Sequence, residues 1–244
     1  MALINIWGDE SSQNAHKYMV LGTIWQHPAC TAELMKDIQD LRNQTFFQKE
    51  FHWNELKAHQ LNVYKGLVDI FKKYADQGLL KFRALVVDQS DRSHKIYSQD
   101  DELHFYKMYF WLIYKRLMIS NQYDIFLDRK INRIPGRLSD LKNVLNNKMI
   151  GDYGSVAANI VRRVETRDGS QIELQMADVF TGAIAYVRNG HYSLATSSNP
   201  KLQLVDYIER SLQVSLNACH WPNESPKFNI WCFKRQNQND NAPP

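Results

Sequence analysis

Leu3-Ile4-Asn5-Ile6-Trp7-Gly8-Asp9-Glu10 is a mostly apolar run that ends in two acids. Its alternation fits a strand, with Asn5, Trp7 and Asp9 on one face and Ile6, Gly8 and Glu10 on the other. A short polar turn through Ser11, Ser12 and Asn14 leads to a second strand, Lys17 to Gln26, and the two read as a hairpin. Leu80 to Asp88 is a third apolar strand. Further on, Tyr123-Asp124-Ile125-Phe126-Leu127 runs straight into Asp128, which shares a face with Phe126.

Between and after these strands the sequence alternates. Ala32 to Phe47 has helical spacing at Leu34, Ile38 and Leu41, and Glu50 to Asn54 reads as a short extended piece. Leu61, Tyr64, Leu67, Val68, Phe71 and Tyr74 line one side of a long amphipathic helix. Gln89 to Gln99 is a polar loop, and Asp101 to Ser120 an aromatic-rich helix. Pro135 opens a helix through Leu138, Leu141 and Leu145. Ser155 to Glu165 reads as a strand, Asp206 to Leu216 as a helix and Phe228 to Phe233 as a last strand. The polar tail 236–244 is expected to be disordered.

A third acid comes late. In Gln171-Ile172-Glu173-Leu174-Gln175-Met176-Ala177-Asp178, Ser170 followed by Glu173 reads as a capping box that starts a helix. Met176, Val179, Phe180, Ala183, Ile184 and Val187 form its buried stripe. Asp178 lies off that stripe with Leu174, Thr181, Gly182 and Ala185, and Gln175 is one turn before it. A carboxylate among small residues fits the approach of a small polar group, although an isolated acid on a helix is ordinarily solvated.

Two acids ending apolar strands and a third on a late helix form a set that binds hard divalent cations. Mg²⁺ or Mn²⁺ prefers carboxylate oxygens and leaves positions open for phosphate. Like charges in one cleft repel, and a cation removes that cost. Strand-ending Asp residues also begin turns, so spacing alone leaves both readings open.

A hairpin and third strand followed by alternating helices and strands predicts an α/β fold, a mixed sheet with helices on both faces. This order of elements resembles the ribonuclease-H-like fold, in which the first and fourth strands lie side by side and bring Asp9 near Asp128. One domain over 1–235 is expected, with 32–76 as a helical insertion.

Composition narrows the partners. A net charge of +4 permits a nucleic-acid partner without requiring one. Cys30, Cys219 and Cys232 are odd in number and widely spaced, so neither a disulfide framework nor a CxxC zinc site is expected, which fits a reducing cytoplasm. No signal peptide or membrane-spanning run is expected. Nucleophile elbows, P-loops and dinucleotide fingerprints are absent from the sequence.

The chain also resembles the bacterial and phage family known as domain of unknown function number thirty-eight hundred. Asp9-Glu10-Ser11 matches its opening motif, and Glu50-Phe51-His52-Trp53 matches its ExKW element. Phe126-Leu127-Asp128-Arg129-Lys130 matches its strand-ending Asp, and Gln175-Met176-Ala177-Asp178 with Thr181-Gly182-Ala183 its late helix. The likeness runs on to Phe228-Asn229-Ile230-Trp231. It implies a ribonuclease-H-like nuclease, in some members near mobile elements or phage-defence genes. Two departures are Ser12, where Gly is usual, and His52, where Lys is common and a fixed charge is therefore replaced by a titrating one.

The expected site is thus Asp9, Asp128 and Asp178 as metal ligands, with Glu50 as the fourth catalytic acid and Glu55 and Glu102 as rivals. His52, Arg129, Lys130, Arg133 and Gln175 are expected at the substrate. Arg137, Arg162, Arg163 and Arg167 extend the basic cluster, which suits a phosphodiester backbone but is also what a solvated face looks like. The expected function is a Mg²⁺- or Mn²⁺-dependent nuclease acting on RNA or DNA. A non-catalytic binding module and a protein-partner role in a defence or toxin system are the competing classes.

Overall fold

A computed structural model describes residues 1–11, 16–90, 101–129 and 136–233. The turn 12–15, most of the loop 89–99, Pro135 and the tail lie outside the described residues. The strands are β1 (Ala2–Ser11), β2 (Tyr18–Gln26), β3 (Leu80–Asp88), β4 (Asn121–Asp128), β5 (Val161–Arg167) and β6 (Phe228–Cys232). They form a six-stranded sheet in the order β5-β4-β1-β2-β3-β6. β2 is antiparallel to β1 and β3, whereas β4 runs parallel to both β1 and β5. The first and fourth strands are therefore neighbours, and the architecture is the mixed ribonuclease-H-like sheet expected from the sequence. Parallel pairing of β1 with β4 sets Gly8 opposite Leu127, so Asp9 and Asp128 follow at the same end of the two strands.

The helices are α1 (Thr31–Thr45), α2 (Leu61–Asp76), α3 (Asp101–Tyr114), α4 (Arg137–Tyr153), α5 (Ile172–Arg188), α6 (His191–Leu194) and α7 (Pro200–Leu212). Side-chain alternation divides the core into two layers. Trp7, Ile24, Phe82 and Phe126 point toward α1, α2, α5 and α7, while Ile6, Leu21, Leu85 and Ile125 point toward α3 and α4.

α5 departs most from its expected form. Within 172–185 every residue is buried except Asp178, so the helix is enclosed on nearly all sides rather than along one stripe. It lies on β1 and β2, with the turn Trp53–Glu55 and α7 also against it. The close seat on β2 depends on Gly22, where an added Cβ would meet Thr181 Oγ1 at 1.9 Å. Gly22 is paired with Asp9 across the hairpin, and Thr181 lies one turn after Asp178. That contact sets Asp178 above Asp9. Gly22→Ala should cost about 1–3 kcal/mol by overpacking, read as a lower urea midpoint; an unchanged midpoint would show that Thr181 can turn aside.

Four boundaries correct the expectations. No side chain caps α5: its N-cap is Gln171, and Glu173 instead accepts a 2.7 Å hydrogen bond from Gln26 Nε2 in the core. α3 ends at Tyr114, where Arg116 donates to the Leu112 and Ile113 region of its last turn, 2.6 Å from the Leu112 carbonyl. The span expected as one strand from Ser155 starts as a turn, Gly154–Ala157, and left-handed Asn159 precedes β5. Asn146 of α4 then brackets Val161 with bonds of 2.9 and 3.0 Å. α7 starts at Pro200 because Asn199 caps it, accepting from the Lys201 N–H at 2.9 Å, and it ends at left-handed Gln213.

The cysteine reading is also corrected. Cys219 and Cys232 form a disulfide, their Cα atoms 5.4 Å apart, and only Cys30 is free and buried. β6 docks on β3 and returns Cys232 to the preceding loop, a juxtaposition that spacing cannot reveal. A paired thiol removes the argument for a reducing compartment. Among the described residues no helix is long and apolar enough to cross a membrane.

Candidate active site

Asp9 lies near the end of β1 on the α5 face, and its Oδ1 accepts the Glu10 N–H at 2.8 Å. Glu10 points to the opposite layer, where Tyr109 Oη lies 3.4 Å from its Oε2. Burial pushes the Asp9 carboxyl well above the usual range, and the charges of Asp178, Glu10 and Asp128 push it further. Asp128 is raised by burial, with Asp168 and Glu50 adding repulsion against the pull of the Arg129 N–H and His52. Asp178 is raised by burial as well, again with repulsion from Asp128. The three carboxylates thus lie in one desolvated field and destabilise one another's charge.

Asp178 is held by two donors. The Trp53 N–H lies 3.0 Å from its Oδ2, and His52 Nδ1 is 3.2 Å from the same oxygen. The other ring nitrogen of His52 is 3.1 Å from Glu50 Oε2, so the imidazole bridges Glu50 and Asp178. Burial opposes the imidazolium, but Asp178 and Glu50 outweigh it and raise the His52 pKa. Tyr64 of α2 fixes the His52 backbone, its hydroxyl 3.0 Å from both the N–H and the carbonyl. The segment expected to be extended is so only through His52, since Trp53–Glu55 turn as a short 3-10 helix. Of the candidates for a fourth acid, Glu50 is the one bonded to the His52–Asp178 pair.

Gln175 belongs to the framework rather than to a substrate surface. It is 2% exposed, and its Oε1 accepts from the Phe51 N–H at 3.0 Å and from Arg42 at 3.2 Å. Its Nε2 donates to the Gly169 and Ser170 carbonyls at 2.9 and 3.2 Å. One amide therefore joins α1, the loop bearing Glu50 and His52, and the turn before α5.

The basic cluster is mostly compensated. Arg163 pairs with buried Asp124 at 2.8 Å and Arg167 with Glu165 at 2.9 Å, both guanidinium groups lying over the Phe126 ring. Arg162 is 3.7 Å from the same Asp124. Arg129 is exposed at the end of β4, and Lys130 and Arg133 lie outside the described residues.

Two charged residues near the carboxylates were not anticipated. Asp168 acts on Asp128 from the turn before α5. Lys201, at the start of α7, places its Nζ 5.3 Å from the centroid of the Trp53 ring. The Asn199-Pro200 helix start was the available signal for Lys201.

The donor set suits a hard divalent cation in kind: carboxylate oxygens, partly desolvated and mutually repelling. In spacing the shell is open, since among the described residues no group of three His, Cys, Asp or Glu side chains is set to hold an ion.

No family model matches the chain. It is 23% identical over 278 residues to "Uncharacterized protein ORF2" of Methanothermobacter thermautotrophicus, covering 97% of this chain and 96% of that protein. A second protein of that organism, ORF2′, is 23% identical over 287 residues with the same coverage, 97% and 96%. Similar solved structures include the ribonuclease H2 of Pyrococcus horikoshii OT3, with a TM-score of 0.44 and 12% identity over 82% of this chain and 83% of that one. A variant of Bst-RNase HIII gives a TM-score of 0.40 and 12% identity, with coverage of 87% and 56%. The strand order described above, not these distant likenesses, carries the assignment of the fold.

Proposed function

We propose that the chain is a metal-dependent phosphodiester hydrolase whose substrate is a nucleic acid. The supporting observation is the desolvated, mutually repelling set Asp9, Asp128 and Asp178, with Asp178 the one residue not buried within 172–185 of α5. Asp9, Asp128 and Asp178 would hold Mg²⁺ or Mn²⁺, with Glu50 as the fourth acid. Such a pair of cations supplies an activated water and stabilises the leaving oxygen. The protein's own groups do the positioning. His52 and the Trp53 N–H take up Oδ2 of Asp178, while Oδ1 has no hydrogen bond among the described residues. His52 also keeps Glu50 beside the carboxylates and, when protonated, supplies a positive charge that limits their repulsion. Membership of the family named above, and a phage-defence or mobile-element setting, rest on the motif resemblance.

Purified protein incubated with single- and double-stranded RNA and DNA is expected to cut at least one of them with Mg²⁺ or Mn²⁺ and none with EDTA. Retention of the probes without cleavage in every condition would instead favour the binding module.

A further inference from the structure

We propose that Lys201 is a phosphate-contacting residue that binds the polynucleotide backbone beside Asp178, an inference that rests on the nucleic-acid reading above. It is carried by how firmly the ammonium is mounted and by what it lacks.

The mount has three parts. Trp53 is 5% exposed and packs edge-on against Tyr186, with ring centroids 5.6 Å apart. It lies so close to α5 that a Cβ on Gly182 would meet its Cγ at 2.2 Å. The Lys201 ammonium sits over this fixed ring, 5.3 Å from its centroid, and such a contact strengthens as water is removed. Asn199 and Pro200 fix the Lys201 backbone at the start of α7. The N–H of Trp53 is meanwhile bonded to Asp178. One residue therefore carries both the cation and the carboxylate.

Lys201 lacks a partner. Lys72, Lys73, Lys148 and Lys227 each pair with an Asp. No acid lies within ion-pair distance of Lys201 among the described residues, and Asp178, the acid whose charge it feels, is already bonded to His52 and Trp53. Burial works against its charge. A partly desolvated ammonium with no local counter-ion among the described residues, in the field of a carboxylate expected to hold a cation, matches a backbone phosphate. Lysine contacts phosphate as a point charge. The Trp53 ring is too buried to stack on a base, so the contact carries no sequence preference. The arginines over Phe126 do not serve equally, because Asp124 and Glu165 already hold them.

The test uses fluorescein-labelled RNA and DNA oligonucleotides, single-stranded and duplex, binding to the full chain carrying Asp128→Asn, followed by anisotropy across a salt series. Adding Lys201→Met is expected to weaken binding about five- to tenfold at 0.1 M salt and to flatten the slope of log K against log salt by about 0.7–0.9, one phosphate's share. Lys201→Arg should keep the slope. Trp53→Leu, which removes the ring beneath the ammonium, should reproduce part of the loss. Equal affinity and slope for Lys201→Met would overturn the assignment. Binding that depends on Lys201 but is never followed by cleavage in the parent chain would overturn hydrolysis and leave Lys201 in place. If the chain binds no probe, the nucleic-acid reading and the Lys201 contact fall together.

Discussion

Asp128→Asn is expected to lower divalent-dependent cleavage by about a hundred- to a thousandfold, the size of losing one group that stabilises charge in a transition state, while the protein still folds. Asp128 follows Leu127, the β4 partner of Gly8, on the strand parallel to β1, and Asp9 on its other side faces Gly22, which brings no side chain. The fold should survive because the Asp128 carboxyl is already pushed above its usual range by burial and nearby acids. Removing that charge relieves repulsion and leaves a side chain of the same shape. Cleavage and melting should be measured on the same preparation. Undiminished cleavage in a folded variant would reject the proposed chemistry, whereas loss of both would show that Asp128 serves the fold.

Without divalent cations at neutral pH, Asp9→Asn is expected to melt above the wild type by about 2–4 °C, as for about 1 kcal/mol of relieved active-site strain. The sign follows from linkage. Asp9 has a raised pKa in the folded state, so between the ordinary carboxylate value and that raised value the folded chain holds more protons than the unfolded one. Its contribution to stability therefore falls as pH rises through that window. Asp76 and Asp152 have the opposite sign: Lys227 and Lys72 hold the first down, and Lys148 with Tyr114 the second. Their contribution is lost on strong acidification, so wild-type stability should peak at mildly acidic pH. A saturating divalent cation should reverse the ranking, since a ligand at a hundred times its Kd adds about 2.7 kcal/mol to whatever binds it. Calorimetry with Mn²⁺ and with EDTA reads both effects. An Asp9→Asn protein that melts lower, or gains as much from Mn²⁺ as the wild type, would contradict the shared metal site.

What the sequence could disclose followed from chain-local chemistry. Apolar runs ending in Asp9 and Asp128 located β1 and β4, and the alternation in Leu3–Glu10 assigned Asp9 and Glu10 to opposite layers. The hairpin and the order of elements then led to the adjacency of the first and fourth strands. Readings that depended on a distant partner failed. Glu173 looked like a cap because Gln26 is far away in sequence. Gln175 looked like a substrate residue because its four partners lie on three other segments. The arginines after Val161 looked uncompensated because the pairing of β4 with β5, which brings up Asp124, is invisible in one dimension. Cys219 and Cys232 needed β6 to dock before they could meet. Lys201 is fixed by Trp53, a residue on a different turn of the chain.

The amide of Gln175 has a mechanical consequence. Because it ties Arg42, the Phe51 backbone and the Gly169-Ser170 turn together, those segments are clamped to one pivot beneath the carboxylates. An inward shift of Glu50, next to Phe51, would therefore tug on the first helix and on the turn carrying Asp168 at once. Adjustment of this centre would be concerted, like a drawstring pulled from a single knot, rather than a sequence of independent side-chain swings.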